Sequence, residues 1–173
     1  MVKIGYLLAK LRSNFFKGQK KNEVVCSYFR KKGAHIGNNC RICSNLDLCE
    51  QSLLFIGNNT IISSGVTFVT HDASISIYLK KRKALFGKII IGDNCFIGEK
   101  AMILYGVSIP DNTIVAAGSV VTKSILQNGQ IIGGNPAKII GTIDSFVSKN
   151  KEKVLSGVEI NDISNIESLL IER

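Results

Sequence analysis

Residues 91–126 read IGDNCF IGEKAM ILYGVS IPDNTI VAAGSV VTKSIL, six blocks of six residues without an insertion. Each block opens with an aliphatic residue, and a small or apolar residue follows four places later. A period of six matches neither the 3.6-residue period of a helix nor the simple alternation of a hairpin. It is typical of an all-β solenoid, in which each block forms one flat side and three sides close a coil of about eighteen residues.

The opening residues of these blocks would stack into aliphatic ladders inside such a coil. They are Ile91, Ile97, Ile103, Ile109, Val115 and Val121. Burying an aliphatic side chain contributes about 1.5–3 kcal/mol, so the ladders and not a helix would hold this region together. Asp93-Asn94, Asp111-Asn112 and Gly106 supply residues that tolerate turn geometry or a positive φ at the corners.

The same rhythm begins earlier in the chain and is interrupted twice. It opens at Ile36, Ile42, Leu48 and Leu54, slips by two residues, and resumes at Ile56 and Ile62. It breaks again after Val69 and returns at Ile89, so residues 71–88 are predicted to project as an extended loop. Long loops in compact repeats are commonly functional. The run Lys80–Lys83 within it is either a solvated loop tip or a patch that attracts phosphate or an acidic substrate.

At 173 residues and 45% apolar content, the chain fits a single compact unit with three parts. We predict an amphipathic helical or extended segment over residues 1–33, the coil over 34–141, and a short helical tail over 142–173. In the tail, Asp144 is a candidate N-cap for a helix over residues 145–155, with Gly157 as its stop. A second short helix would follow and present Ile160, Ile163, Ile166, Leu169 and Leu170 on one face. These helices would cover the open end of the coil.

The first 32 residues carry much of the formal net charge of +9, with nine basic residues against Glu23 alone. A helix here would place one apolar face opposite its lysines: Ile4, Leu7, Leu8, Leu11 and Phe15. The helix either covers one end of the coil with a solvated basic rim, or it also touches anionic lipid headgroups. We expect no nucleic-acid partner, because aromatic interleaving and recognisable modules are missing. No apolar run approaches the eighteen residues of a membrane span.

The spacing of three cysteines is compatible with a metal-binding site, but their positions in the six-residue repeat argue against one. Cys40, Cys43 and Cys49 have suggestive spacing. However, Cys40 and Cys95 occupy the small fifth place of their blocks, and the other two occupy the second place. We interpret them as small residues of the coil and expect no metal. Five cysteines, an odd number, and an apolar stretch at Ile4–Ala9 too short for a secretory signal predict a cytoplasmic protein.

Residues 91–138 resemble the hexapeptide-repeat acyltransferases, with GSVVTK at Gly118–Lys123 and GGNPAK at Gly133–Lys138 as the most specific motifs. Within that family they are most similar to the sugar and polysaccharide O-acetyltransferases, the galactoside and maltose acetyltransferase branch. The resemblance covers residues 34–141. It implies a left-handed parallel β-helix, a handedness that comes from the family and not from the spacing. It also implies acetyl-CoA as co-substrate and a homotrimer that binds it in the groove between two coils.

The resemblance implies direct transfer, in which a histidine removes the proton of an acceptor hydroxyl as the oxygen attacks the acetyl thioester. His71 stands where that histidine is expected, and imidazole titrates near neutral pH. His35 is interpreted as solvated or structural. For substrate binding the resemblance implies Asp72 and, one coil before the histidine, Asn45. The group that orients His71 is left open, with Glu99 as one candidate.

For acetyl-CoA, the resemblance implies two sets of residues. Gly98, Ala117 and Ser119 would lie along its pantetheine arm, although the last two also simply suit a tight coil. Thr122, Lys123 and Lys138 would lie toward the nucleotide phosphates, which favour cationic partners.

The sequence therefore predicts an acetyl-CoA-dependent O-acetyltransferase that acts on a saccharide. Its acceptor would be a building block or a lipid-linked repeat of a surface polysaccharide, with residues 1–21 touching the inner face of the membrane. Transfer to the nitrogen of an amino sugar and a non-catalytic solenoid scaffold are the alternatives. The zinc-dependent carbonic anhydrases of the same fold need three histidine ligands, and this chain has two histidines.

Overall fold

The computed structural model describes residues 4–46 and 48–154 of the chain. Two helices come first, α1 (Ile4–Ser13) and α2 (Gly18–Lys31). The strands that follow are short, and most have two or three residues. They are β1 (His35–Ile36), β2 (Arg41–Ile42), β3 (Leu54–Ile56), β4 (Ile61–Ile62), β5 (Thr67–Val69), β6 (His71–Asp72), β7 (Leu85–Phe86), β8 (Ile89–Ile91), β9 (Phe96–Ile97), β10 (Met102–Leu104), β11 (Ser108–Ile109), β12 (Ile114–Val115), β13 (Val120–Val121), β14 (Gln130–Gly134) and β15 (Ala137–Thr142).

Twelve of these strands form three parallel sheets that the chain visits in a repeating order. Sheet A has the order β1-β3-β8-β11, sheet B contains β14-β12-β9-β4-β2, and sheet C has the order β13-β10-β5. From β3 to β13 the chain runs from A to B to C and returns to A. We call the segments that join these strands the BC junction, from sheet B to sheet C, and the CA junction, from sheet C back to sheet A.

Strand register in the second half of the chain gives the length of one circuit through the three sheets. Ile90 pairs with Ser108 in sheet A, and Phe96 pairs with Ile114 in sheet B. Met102 pairs with Val120 in sheet C. Each pair is 18 residues apart. The predicted circuit of eighteen residues is therefore confirmed for this part of the chain.

The two interruptions of the rhythm appear as longer register offsets. His35 pairs with Phe55, an offset of 20, which is two more than the regular 18. Phe55 pairs with Ile90, an offset of 35, which is 17 more than 18. A one-turn 3₁₀ helix at Gln51–Leu53 lies in the stretch that contains the two extra residues. The seventeen extra residues follow β5 and account for the loop predicted over residues 71–88, which contains β6, the short helix α3 (Ile75–Leu79) and β7.

Aliphatic side chains from all three sheets fill the interior in ladders, as predicted. The members in sheets A and B are at most 8% exposed: Ile36, Ile56, Ile91, Ile109, Ile42, Ile62, Ile97, Val115 and Ile132. Phe68, Ile103 and Val121 form the ladder of sheet C. One predicted member is wrong, because Leu46 is fully buried where Leu48 was expected, and Leu48 only packs partly against the core.

Columns of asparagine turn the chain on one edge of the coil. Asn94 and Asn112 adopt φ values of 54° and 53°, and Gly106 adopts 77°, as the sequence predicted. Asn59 also has a positive φ, and its side-chain amide donates to Asn94 Oδ1 at 3.2 Å. Asn tolerates the left-handed region better than most residues, and the stacked amides pair with one another.

Helix α2, and not the apolar face of α1, covers the first circuit. Val25, Cys26 and Phe29 of α2 are buried in the core. Helix α1 buries Tyr6, Ala9 and Ser13. The apolar face that was predicted to cover the end of the coil is instead exposed to solvent. The exposed fraction of its residues lies between 48% and 88%: Ile4, Leu7, Leu8, Leu11 and Phe15. That expectation is wrong, because α1 packs through the opposite side: the Tyr6 ring lies 5.6 Å from that of Phe29 in α2, and the Tyr6 hydroxyl donates to Cys43 O at 3.2 Å.

The C-terminal part begins with β14 and β15, which pair antiparallel on the edge of sheet B. Helix α4 (Ile143–Asn150) follows; its N-cap is Thr142, whose hydroxyl accepts from Ser145 N at 3.3 Å. The prediction of Asp144 as N-cap is wrong, and the helix gives way to a 3₁₀ turn at Lys151–Lys153. The predicted Gly157 stop and the second helix lie outside the described residues. Within the described ranges, no helix has the length and apolar character needed to span a bilayer.

Candidate active site

His71 lies at the CA junction that carries the seventeen-residue loop. The loop starts with β6, folds through the short helix α3 (Ile75–Leu79), and returns in β7. Strands β6 and β7 pair antiparallel, with His71 opposite Phe86 and Asp72 opposite Leu85. The imidazole is thus mounted at the base of a hairpin, on the circuit held by β5. Its side chain is 41% exposed, so a ligand can reach it.

A carboxylate from the preceding circuit holds the imidazole. His71 Nδ1 lies 3.0 Å from Glu50 Oε2, and the Thr70 hydroxyl donates to the same oxygen at 2.6 Å. Thr70 is 20 positions after Glu50, which equals the register offset between the first two circuits. The three side chains therefore meet because the two-residue slip places Glu50 next to Thr70 and His71.

The ionisation of Glu50 fixes the direction of the hydrogen bond to His71. The Thr70 hydroxyl, and to a smaller extent the His71 imidazole, hold the pKa of the Glu50 carboxyl below its usual range. An ionised carboxylate only accepts hydrogen bonds, so Nδ1 of His71 carries the proton that is donated. In the neutral imidazole the lone pair then resides on Nε2, and Nε2 is the atom that can accept a proton from a ligand.

Asp72 is held by a different set of groups and does not orient His71. Its Oδ1 accepts from Ser74 N at 2.8 Å, and its Oδ2 accepts from the Tyr105 hydroxyl at 3.4 Å. The Ser74 backbone N–H is the main cause that lowers the pKa of Asp72. Tyr105 follows β10, so it lies one circuit beyond the histidine at the same CA junction. The ring of Phe86 lies 5.6 Å from that of His71 and forms the other wall.

Half of the residues implied for acetyl-CoA lie at the BC junction. Gly98 and Ala117 line a shallow groove of about 490 Å³, together with Ser63, Ser64 and Phe96. A Cβ on Gly98 would lie 2.5 Å from Ala117 N, so only glycine lets the two circuits approach this closely. Glu99, proposed as one orienting group for His71, lines this groove instead.

Asn45 also follows a sheet B strand, and it is exposed. The register puts it beside Gly65, twenty positions on, and therefore at the BC junction. Within one chain, sheet C separates it from His71, so the expectation that both face one acceptor is not met by a single copy.

The remaining implied residues are spread over the later circuits. Ser119 is buried; its hydroxyl donates to Ala116 O at 2.7 Å and accepts from Gly134 N at 3.3 Å. Thr122 and Lys123 are exposed and follow β13, which places them at the CA junction of a later circuit than His71. Lys138 is exposed on β15. The chain thus divides the implied site between two junctions.

Sequence reasoning missed Glu50, Tyr105 and Phe86. The distances along the chain could have found the first two, because 20 residues separate Glu50 from Thr70 and 35 separate Thr70 from Tyr105. These are the offsets that the two interruptions of the repeat produce. Phe86 could be placed beside His71 only from the pairing of β6 with β7, and strands of two residues leave no pattern in the sequence that predicts such a pairing.

His35 and most of the cysteines lie away from this junction, but Cys49 directly precedes Glu50 in the chain. His35 stacks on Phe55 with ring centroids 4.2 Å apart, on the outer face of sheet A. Cys40 and Cys95 are buried, and burial raises the pKa of the Cys95 thiol to about 11. Cys43 is half-buried, and Cys49 is exposed. In the described part of the chain, no three potential metal-ligating side chains come together.

Comparison with known families and proteins gives a consistent result. A family model described as the hexapeptide repeat of succinyl-transferase matches residues 88–123. Protein CapG of Staphylococcus aureus is 43% identical over 144 residues, covering 80% of this chain and 83% of CapG. Galactoside O-acetyltransferase of Escherichia coli K12 is 34% identical over 111 residues, covering 64% of this chain and 54% of that enzyme. This chain therefore spans about half the length of that relative.

Among solved structures, one similar fold is a hexapeptide-repeat-containing acetyltransferase of Vibrio cholerae O1 biovar eltor, solved in complex with acetyl coenzyme A. Its TM-score is 0.55 at 21% identity, covering 80% of this chain and 85% of that one. At this identity the likeness concerns the fold.

The hydrogen bond to Glu50 predicts the tautomer of His71. In the neutral form, Nδ1 should carry the proton and Nε2 should not. The ¹⁵N chemical shifts of the imidazole measure this, and a His35→Gln variant assigns the two histidine signals. Replacing Glu50 by Ala should reduce the fraction protonated on Nδ1. A neutral His71 protonated on Nε2 in the unmodified protein would contradict the geometry.

Proposed function

Since this chain belongs to the hexapeptide-repeat acetyltransferase family, we propose that it transfers the acetyl group of acetyl-CoA to a hydroxyl of a saccharide. The observation that carries the proposal is the exposed imidazole held by Glu50 at the base of the loop. The proposed acceptor is a building block of a surface polysaccharide. The name of the galactoside relative supports a sugar acceptor.

We further propose that the three parallel sheets form a left-handed β-helix over residues 34–141, which is the catalytic unit. The cyclic order of the sheets and the 18-residue circuit support a helix of this kind. Residues 1–33 and 142–173 are then flanking segments. The handedness follows from the family and not from the strand pairing.

In the proposed reaction, His71 acts as general base. Nε2 takes the proton of the acceptor hydroxyl while the oxygen attacks the carbonyl carbon of the thioester. The carbon–sulfur bond then breaks, and the imidazolium returns the proton to the departing thiolate, which gives the acetyl ester and CoA. A positioned base of this kind accelerates a reaction by about 10²–10⁴-fold.

Glu50 is a positioning residue in this scheme. Its carboxylate keeps Nδ1 protonated, which leaves Nε2 free, and it stabilises the imidazolium that forms during transfer. Thr70 fixes the carboxylate in turn through its hydroxyl. Asp72 is proposed to meet the acceptor, because the Ser74 N–H and the Tyr105 hydroxyl hold it beside His71.

The residues at the BC junction suit the pantetheine arm of acetyl-CoA. Gly98 and Ala117 keep one stretch of the groove low, so that an extended arm can reach backbone groups there, while Phe96 and Arg41 line the part over sheet B. Thr122, Lys123 and Lys138 are exposed and are available to its phosphates. Ser119 contributes by bracing the coil, since its hydroxyl bonds to the backbone on two sides.

We propose a homotrimer in which one site is shared by two copies. His71 and the groove of Gly98 lie at different junctions of one chain, so a ring that sets the CA junction of one copy beside the BC junction of the next completes the site. Head-to-tail contacts of this kind close rings. Exposed apolar side chains on the outer faces of the sheets support the contact, among them Phe96 at 42% and Ile90 at 43%.

The shared site predicts complementation between two inactive variants. His71→Ala loses the base, and Ala117→Arg blocks the groove, so each alone should be inactive. Mixed trimers formed by co-expression should regain part of the activity, because one interface then carries both intact halves. Sedimentation velocity should give three times the monomer mass. A monomer at micromolar concentration, or a mixture without activity, would rule the arrangement out.

Acetyl transfer is tested by replacing the two histidines in turn. With a panel of sugars and sugar nucleotides, thiol release from acetyl-CoA should identify an acceptor. His71→Ala should then lower kcat by about 10²–10⁴-fold. Glu50→Ala should lower it less, and Glu50→Asp should restore part of the rate. His35→Ala is the matched control, since His35 stacks on Phe55 away from the junction.

The same experiment separates an enzyme from a scaffold. Each variant is checked for CoA binding by calorimetry and for thermal unfolding, so that a folding defect is recognised. If His71→Ala leaves thioester turnover unchanged while CoA still binds, the proposed base is wrong and a binding role gains support. Acetyl transfer to an amino sugar in preference to a hydroxyl would redirect the proposal to N-acetylation.

We also propose a cytoplasmic location with a peripheral contact to the anionic membrane surface through residues 1–21, which would suit a lipid-linked acceptor. Helix α1 exposes Leu7, Leu8 and Leu11, while Lys10 and Arg12 lie beside them. A groove of about 540 Å³ lies between α1 and α2, and its lining includes Phe16, Val24, Lys20 and Lys31. Its acid, Glu23, forms an ion pair with Arg30. An apolar face rimmed by cations is the pattern of an interfacial helix.

The membrane contact predicts binding to vesicles of equal parts phosphatidylglycerol and phosphatidylcholine at low salt. Leu7→Ser combined with Leu11→Ser should remove it. The matched control is Phe146→Ser with Val147→Ser, a pair equally exposed on α4. Salt should weaken the binding by screening. Failure of the unmodified protein to co-sediment, or equal binding to pure phosphatidylcholine, would refute the anionic-surface contact.

A further inference from the structure

The loop that carries His71 forms a second concave surface next to the imidazole. Helix α3 and strand β7 enclose an open depression of about 640 Å³. Its lining consists of Ala73, Ser76, Arg82, Lys83, Ala84 and Phe86. Strand pairing places Phe86 opposite His71, with the two rings 5.6 Å apart. The depression therefore begins one side chain away from the imidazole.

Two of the four basic side chains of the loop line the depression. Arg82 and Lys83 belong to its lining, whereas Lys80 and Lys81 do not. Lys80 ends α3 in the left-handed region, with φ 50°, and this reversal divides the basic run. The sequence left open whether the run is a solvated loop tip or a binding patch, and the geometry favours a binding role for the second pair.

The charge of the depression is uncompensated within its own wall. Its six lining residues include no acid. The nearest carboxylate along the chain is Asp72, which is engaged by Ser74 N and the Tyr105 hydroxyl. Two cations that share one concavity favour a ligand with a phosphoryl group, to which Arg in particular donates paired hydrogen bonds. The exposed ring of Phe86 offers an apolar face between that group and His71.

We propose that the acceptor is a phosphorylated saccharide, and that Arg82 and Lys83 hold its phosphoryl group while the sugar lies over Phe86 with a hydroxyl at His71. The proposal rests on the acetyl transfer proposed above and deepens it by naming the class of acceptor. Arg82 and Lys83 are then specificity-determining residues. The phosphate can belong to a soluble sugar nucleotide or to a lipid diphosphate carrier, since both present the same group to this pocket.

The first test measures binding without catalysis. Inorganic pyrophosphate is titrated into ¹⁵N-labelled protein in the absence of acetyl-CoA. The amides of Ala73 and Ala84 should shift in the unmodified protein and in Lys80→Ala/Lys81→Ala, a control that removes the same charge from the same run. They should not shift in Arg82→Ala/Lys83→Ala. No shift in the unmodified protein, or equal shifts in both double variants, overturns the proposal whether or not acetyl transfer occurs.

The second test uses the kinetics of whichever sugar accepts acetyl groups. It compares the free sugar, its nucleoside diphosphate derivative and its prenyl diphosphate derivative, and the latter two distinguish the sources of the phosphate. Arg82→Ala/Lys83→Ala should raise KM for the phosphorylated acceptors by roughly tenfold to a hundredfold, with KM for acetyl-CoA unchanged. A raised KM for acetyl-CoA would assign the pair to CoA phosphates, and a preference for the free sugar would refute the assignment.

Discussion

The parallel register between successive circuits is the constraint on which the rest of the structure depends. In the regular part of the coil, every residue stacks on the residue 18 positions along, so one aliphatic position per side generates a continuous buried ladder. The backbone is paired both above and below, which leaves little freedom for a circuit to change its length. Extra residues are therefore accommodated at the junctions, where they do not break a ladder.

Both insertions in the chain lie at the same junction, next to His71. The two extra residues beside the 3₁₀ turn of Gln51–Leu53 and the seventeen that start at His71 belong to adjacent circuits at the same CA junction. The first brings Glu50 against Thr70 and His71, and the second supplies Phe86 and the basic pair of the loop. The regular coil contributes the fixed spacing, and the irregularities contribute the chemistry.

The regular circuits also explain why one copy of the chain does not assemble the whole proposed site. A residue keeps its junction in every circuit, since the offset of 18 returns it to the same side. Gly98 and Ala117 stay at the BC junction, and His71 and Lys123 stay at the CA junction. Sheet C lies between them from β5 to β13. Bringing the two junctions together requires a neighbouring copy, which is the physical argument for the proposed trimer.

The sequence alone determined what repeats. The six-residue period predicted the sheets, the ladders, the circuit length and the loop, because buried residues recur at every sixth position. The resemblance to a known family, carried by motifs of the same sequence, pointed to His71. The tertiary structure decided two other things: which side chains the two-residue slip brings together, and which helix covers the first circuit. Glu50 reaches His71 only through the two-residue slip, and Leu46 replaces Leu48 in the core beside it. Helix α1 leaves its apolar face exposed because α2 already covers the first circuit. The amphipathic pattern of a helix predicts an apolar face, but it does not identify the surface against which that face will pack.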